Sequence, residues 1–87
     1  MMMKKLQEEK NYYSSSDLPL VVALSMHFPI EETNFDDPHR VNFYFRRSKK
    51  LEEIVKSYWD KSCMVDAASY FQELKAIKNR LFTQKNN

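Results

Sequence analysis

Glycine is absent from the 87 residues of this sequence. The absence excludes glycine-rich phosphate loops, dinucleotide-binding fingerprints and the nucleophile elbow of hydrolases, because each of these motifs requires glycine at fixed positions. Turns must instead use Asn, Asp, Pro and Ser, which accept tight backbone conformations by other means. The segment "NFDDPHR" is the clearest predicted turn.

Cysteine and histidine are scarce, since the chain has one cysteine, Cys63, and two histidines. A single cysteine cannot form an internal disulfide, and "MMMKKLQEEK" lacks the apolar core of a signal peptide, so we predict a cytoplasmic protein. The histidines, cysteine and acids do not repeat at any metal-ligand spacing. We therefore expect no metal and no cofactor, and we interpret Cys63 as a structural thiol beside the apolar Met64 and Val65.

Converging catalytic groups are also missing. The acids occur mainly as adjacent pairs, which are typical of exposed positions rather than of an acid/base site. The pairs are Glu8 and Glu9, Glu31 and Glu32, Asp36 and Asp37, and Glu52 and Glu53. We predict no catalytic residue and no enzymatic activity.

Long apolar runs are absent, because the longest, "LPLVVALSM", is well short of the roughly twenty residues that span a bilayer. We therefore predict no membrane segment. The hydrophobic content of 43% and the net charge of +2 favour one small folded domain. We assign it to residues 12–82, with a flexible N-terminal lead-in at 1–11 and a frayed tail at 83–87.

The first half of the domain predicts a short strand, a helix and a hairpin. A strand at 12–14 precedes a helix over 20–26, with Ser16 as its N-cap, because Pro19 fits best in a first turn. That helix is apolar nearly all round, so we expect it to be buried, with His27 ending it in the left-handed conformation. Two strands, 28–34 and 40–47, then pair through the turn.

The second half predicts two amphipathic helices. Ser48 caps the first of them, and Asp66 caps the last. A further short strand is predicted at Met64 and Val65. The apolar stripe of the first helix is Leu51, Ile54, Val55, Tyr58 and Trp59, and that of the last is Ala67, Tyr70, Phe71, Leu74, Ile77 and Leu81.

These elements predict an α+β fold in which a β-hairpin packs against three helices. The order is (β)-α-β-β-α-(β)-α, where the bracketed short strands would extend the hairpin into a small mixed sheet of three or four strands.

Five basic residues fall within the eleven positions of "RVNFYFRRSKK", with no acid among them. They are Arg40, Arg46, Arg47, Lys49 and Lys50. Such a cluster beside an aromatic residue, Tyr44, is typical of nucleic-acid binding, in which the cations contact phosphates and the ring stacks on a base. Lys75 and Lys78 on one edge of the last helix would add to this surface.

The same stretch has a structural interpretation, which we favour. Val41, Phe43 and Phe45 alternate along the strand and need a core, while three apolar helical stripes need a surface to pack on. Glu31 on the facing strand is expected near Tyr44 and diagonal to Arg46, where opposite charges would pair. The remaining cations would form a solvated helix start.

Two functional hypotheses follow from these observations. The first is a small non-enzymatic accessory or adaptor protein that binds another protein, using open strand edges and two partner-facing aromatics, Tyr44 and Phe82. The alternative is a module that binds DNA or RNA through the basic residues at the hairpin end and on the C-terminal helix. The sequence does not indicate an oligomeric state.

The order "YYSSSDLPLVVAL", "RVNFYF" and "LEEIVKSYWDKSCMVDAASYFQELKAIKNRLF" resembles a family of small, functionally uncharacterised bacterial and phage proteins over residues 12–82. Ser15, Asp17 and Leu18 match its hydroxyl-x-Asp-Leu opening, Phe43 and Phe45 its Phe-x-Phe strand, Val65 and Asp66 its Val-Asp helix entry, and Leu74 and Lys75 its Leu-Lys pair. His27 stands where relatives have Gly. The resemblance implies this architecture and no activity.

Overall fold

The computed structural model describes residues 11–37 and 39–85. The elements follow the order β-α-β-β-α-α, which confirms the predicted α+β class. They are β1 (Tyr12–Ser15), α1 (Leu18–Ser25), β2 (Glu32–Asp37), β3 (Arg40–Arg46), α2 (Lys49–Trp59) and α3 (Ala67–Lys85). No helix in this described part of the chain is both long enough and apolar enough to cross a membrane.

The predicted ends of the chain fall largely outside the described residues. Of the lead-in, only Asn11 is described, and its carbonyl accepts a hydrogen bond from the Arg47 amide at 2.6 Å. The predicted tail is helical as far as Lys85, so α3 is longer than we expected.

The three strands form one antiparallel sheet in the order β1-β3-β2. The hairpin and the short first strand are as predicted, whereas the sheet is antiparallel rather than mixed across the described residues. The predicted strand at Met64 and Val65 does not form. The amides just before it, those of Ser62 and Cys63, donate to the Ser57 carbonyl at the end of α2, and the chain then leads directly into α3.

The hairpin closes with side-chain oxygens in place of glycine. The Asn34 carboxamide oxygen accepts from the Asp36 amide at 2.7 Å, and the Asp37 carboxylate accepts from the His39 amide at 2.9 Å. Such Asx contacts mimic a backbone turn. They coincide with a break in the β2–β3 register between Asn34 and Asp37.

The middle of α1 is buried on all sides of the helix. Its residues Leu20 to Leu24 are 0–3% exposed, and the helix packs against β1, α2 and α3. Phe43 and Phe45 from β3, Leu51 from α2 and Ile77 from α3 complete this core. The predicted burial of an all-round apolar helix is therefore confirmed.

The boundaries of α1 differ from prediction at both ends. Asp17 rather than Ser16 is the N-cap, and its amide donates to the Ser15 hydroxyl at 3.1 Å. Met26 is the C-cap of the helix, with φ of −71°, so His27 does not close it in the left-handed conformation. The His27 and Phe28 amides both donate to the Leu24 carbonyl, which continues a right-handed turn.

The first hairpin strand begins later than predicted, at Glu32 instead of Phe28. The Phe28 amide is still bound to the end of α1, and Pro29 has no amide to donate to a sheet. Pairing with β3 starts where the Glu31 amide donates to the Tyr44 carbonyl at 2.8 Å.

Two aromatics that we expected on buried stripes are exposed. Trp59 at the end of α2 is 61% exposed, and Phe71 on α3 is 60% exposed. The helix α3 packs chiefly on α1 and buries only the sector around Ile77, because a single neighbouring helix covers a narrow strip. Phe71 lies on the flank of that sector.

A Schellman motif ends α2 without glycine. The Lys61 amide donates to the Tyr58 carbonyl at 3.1 Å, and the Ser62 amide donates to the Ser57 carbonyl at 2.9 Å. Lys61 has φ of 64°, the left-handed conformation that glycine normally supplies at this position. The absence of glycine therefore leaves a local conformational penalty here.

Replacing Lys61 with glycine should stabilise the protein. We expect Lys61→Gly to raise the free energy of unfolding by about 0.5–1 kcal/mol, because relief of the left-handed penalty exceeds the added unfolded-state entropy. Urea denaturation measures the change. Lys61→Ala is the matched control, since it removes the same charge but keeps Cβ, and it should give almost no gain. Equal stabilisation by both variants would assign the effect to the lysine side chain instead.

Candidate functional site

The two arginines at the end of the basic stretch lie against tyrosines of β1. The Arg46 guanidinium lies 5.1 Å from the centre of the Tyr12 ring and donates to the Tyr12 hydroxyl at 3.0 Å. Arg47 lies 5.5 Å from the centre of the Tyr13 ring and forms an ion pair of 2.6 Å with Glu52. Antiparallel pairing of β1 with β3 brings these residues together across more than thirty positions of sequence. Both arginines thus make contacts with other residues of the same chain.

The seven basic residues that were predicted to bind nucleic acid are distributed over three places. The start of α2 is surrounded by Arg46, Arg47, Lys49 and Lys50. Arg40 lies at the other end of β3, about 20 Å along the strand from Arg46. It lines a cavity there together with Leu81. Lys75 and Lys78 lie on α3. The structure therefore groups four of these residues and separates the remaining three from them.

Acidic residues interrupt the group at the start of α2. Glu31 lines the same open cavity as Arg46, and Glu53 lines another with Lys50. The expected diagonal ion pair between Glu31 and Arg46 does not form. Glu32 rather than Glu31 lies opposite Tyr44 in the sheet. The Arg46 guanidinium donates to the Tyr12 hydroxyl instead. The local potential is consequently mixed in sign.

Tyr44 is buried, at 7% exposure, so the predictions that it stacks on a base and faces a partner are wrong. It occupies the central strand, and the side chain of the buried Asn34 donates a hydrogen bond to its hydroxyl. Burial raises the pKa of Tyr44 above its usual value of 10.0. Strand alternation predicts which face of the sheet a residue occupies but not whether that face is covered.

A cluster of hydroxyls holds the start of α1. The Tyr58 hydroxyl from α2 donates to the Asp17 carboxylate at 3.2 Å, and the Tyr70 hydroxyl from α3 donates to the Pro19 carbonyl at 3.2 Å. Burial, and then the negative charge of Asp17, raise the pKa of Tyr58 and of Tyr70. Burial also raises the pKa of Tyr13, opposed by Arg47 and by a hydrogen bond from Trp59. These contacts join all three helices at one point.

Other polar residues serve as caps. Asp66 accepts from the Ser69 amide at 2.9 Å and from the Ser69 hydroxyl at 2.8 Å, which lowers the pKa of Asp66 and confirms its predicted role at the start of α3. Ser48 accepts from the Leu51 amide at 3.1 Å and caps α2, also as predicted. Cys63 is half-buried. Within residues 11–37 and 39–85, no three His, Cys, Asp or Glu side chains converge in a way that could hold a metal ion.

One flank of α3 carries exposed aromatics and cations together. Phe71 and Phe82 are 60% and 71% exposed and are eleven positions apart, three turns of helix and about 16 Å. Lys75 and Lys78, both exposed, lie between them on the same flank. We call Phe71, Lys75, Lys78 and Phe82 the α3 stripe.

Sequence reasoning found three of the four stripe residues and missed Phe71. It assigned Phe71 to the buried face together with Tyr70, its neighbour in the chain. The spacing from Phe82 could have placed Phe71 on the exposed flank, because eleven residues make about three full turns of an α-helix. Tyr70, in contrast, aligns with Leu74, Ile77 and Leu81, which pack on the core.

A family model described as "Domain of unknown function (DUF5659)" matches residues 10–83. No curated protein and no solved structure matches the chain.

The raised pKa values of Tyr58 and Tyr70 predict a loss of stability at alkaline pH. A folded-state pKa above 10.0 means that the folded protein holds these protons more tightly, so the stabilisation is present below pH 10.0 and is lost as pH rises through the folded pKa. Tyr58→Phe should lower the free energy of unfolding near neutral pH by about 0.5–1.5 kcal/mol, through the lost hydrogen bond to Asp17. It should also make the alkaline decline shallower.

Urea denaturation from neutral pH to about pH 11 measures both effects. Tyr12→Phe is the control, because it removes a hydroxyl whose hydrogen bond to Arg46 is exposed. An alkaline decline in Tyr58→Phe as steep as in the wild-type protein would contradict the role assigned to Tyr58.

Proposed function

The chain belongs to the DUF5659 family of domains of unknown function, in agreement with the resemblance to an uncharacterised family, and we propose that it is a non-enzymatic accessory domain that binds another protein. The observation that carries the proposal is the α3 stripe, in which two large aromatic side chains are exposed on one helix flank. Aromatic residues, phenylalanine among them, are enriched in the surfaces that protein partners bury.

The stripe is held on a firm support. Ile77, on the core-facing sector of α3 beside the stripe, is only 2% exposed, and the Tyr70 hydroxyl ties the helix to α1 through Pro19. A helix already fixed in place loses little conformational entropy when a partner binds. This arrangement favours recognition by a rigid face rather than by folding on binding.

Several polar groups that a catalyst would need are engaged in holding the fold. Asp17 accepts from Tyr58, Glu52 pairs with Arg47, and Asp66 caps α3. These contacts favour the binding role over an enzymatic one. We further propose a cytoplasmic location, on the basis of the single cysteine, and a bacterial or phage origin, on the basis of the sequence resemblance.

Binding of DNA or RNA is the second candidate. The exposed Lys75 and Lys78 beside Phe82 favour it, because cations next to an exposed ring suit a phosphate backbone with a stacked base. We rank it second because Arg46 and Arg47 make contacts with Tyr12, Tyr13 and Glu52, and because acids interrupt the basic group.

Photo-crosslinking tests the choice between these candidates. A benzophenone amino acid at position 71 should form a covalent adduct with a discrete protein in cells that carry the gene, because the partner would cover the α3 stripe. Position 80 is the matched control, since Arg80 is also exposed on α3 but lies about 180° around the helix axis from Phe71. It should give no such adduct.

The outcomes separate the candidates. A nuclease-sensitive adduct at position 71 would replace the protein partner with DNA or RNA. Equal labelling at positions 71 and 80, or no adduct at either, would overturn the assignment of α3 as the binding face. Circular dichroism of both purified proteins confirms that the substitutions leave the helices intact.

A further inference from the structure

We infer that the partner segment recognised by the α3 stripe is an acidic amphipathic helix, in which carboxylates face Lys75 and Lys78 and apolar side chains face Phe71 and Phe82. This inference rests on the proposed protein-binding function and specifies the chemistry of the partner.

Charge is the first argument. Lys75 and Lys78 are exposed, and neither forms an ion pair with another residue of the described chain. The acid of α3, Glu73, lies about 200° around the helix axis from Phe71, on the opposite flank. The stripe therefore presents positive charge between two apolar ends, and a complementary surface presents negative charge between two apolar ends.

Spacing is the second argument. The two phenylalanines are about 16 Å apart along α3, and the lysines fall at the intervening turns. Helices that cross at about 20°, one of the preferred packing angles, keep their facing stripes in contact over several turns. A partner helix with apolar residues eleven positions apart and Glu or Asp at the turns between them matches this pattern.

A second copy of this chain is a poor occupant. The α3 stripe is symmetric about its midpoint, so antiparallel pairing of two α3 helices would place Lys75 of one copy against Lys78 of the other. Parallel pairing would place each lysine against itself. Either arrangement brings four ammonium groups together at the centre of the contact, which is destabilising.

The probe for this inference is a fluorescein-labelled peptide, stapled as a helix, with leucines eleven positions apart and four glutamates between them. We expect the full chain to bind it, with affinity that falls as salt is raised. Fluorescence anisotropy measures the dissociation constant. The variants Phe71→Ala and Phe82→Ala should each weaken binding by about tenfold, because each removes one apolar end of the contact.

Lys78→Glu and Arg80→Glu form a matched pair, because both reverse one exposed charge on α3 and change the net charge equally. Lys78→Glu should weaken binding by about tenfold or more, whereas Arg80→Glu, on the other flank, should change it less than about twofold. A peptide with lysines in place of the glutamates should prefer the Lys78→Glu protein. Equal effects of the two variants would reduce the interaction to non-specific attraction and overturn the inference.

The remaining outcomes distinguish this inference from the proposed function. A protein adduct at position 71 together with no binding of the acidic peptide would overturn the partner chemistry and leave the protein-binding function standing. Absence of the protein adduct together with absence of peptide binding would overturn both the protein-binding function and the partner chemistry. A dimer in analytical ultracentrifugation that dissociates in Phe71→Ala would identify a second copy as the occupant and overturn the inference, as would displacement of the peptide by single-stranded RNA at the stripe.

Discussion

Burial of α1 on every side is the constraint on which the rest of the structure depends. A helix with no polar face cannot lie on a surface, so the sheet, α2 and α3 must all contact it. Tyr58 and Tyr70 then fix its first turn through Asp17 and Pro19. Because α3 covers α1 with only one sector of its surface, the neighbouring flank remains exposed. The α3 stripe lies on that flank and thus results from the way α3 packs on the core.

Many polar residues of this glycine-free chain meet the geometric demands of turns and helix ends. Side chains of Asn34 and Asp37 close the hairpin, Ser48 and Asp66 begin α2 and α3, and Lys61 accepts a left-handed conformation to end α2. Each of these positions meets a geometric demand of the backbone. Many polar side chains of the chain therefore hold turns and helix ends in place. We accordingly look for function on the exposed surface.

Sequence reasoning predicts the elements well because their signals are local. The order of helices and strands, the alternation of β3 and the caps at Ser48 and Asp66 all follow from patterns within a few residues. It fails where burial depends on what covers a face. Tyr44 is buried on a face expected to be open, while Trp59 and Phe71 are exposed on stripes expected to be covered. Periodicity determines the direction of a side chain, but the neighbouring elements determine its exposure.

The same distinction decides between the two candidate surfaces. The basic stretch is conspicuous in sequence, yet folding brings Tyr12 and Tyr13 against its arginines and places acids among its other members. The α3 stripe is inconspicuous in sequence, since its four residues are spread over twelve positions, yet the regular helix aligns them on one flank. Because α3 packs chiefly on α1, the flank that carries these four residues stays exposed. The α3 stripe is therefore a better candidate for a recognition surface than the basic stretch, because folding keeps the stripe residues together and engages or separates those of the basic stretch.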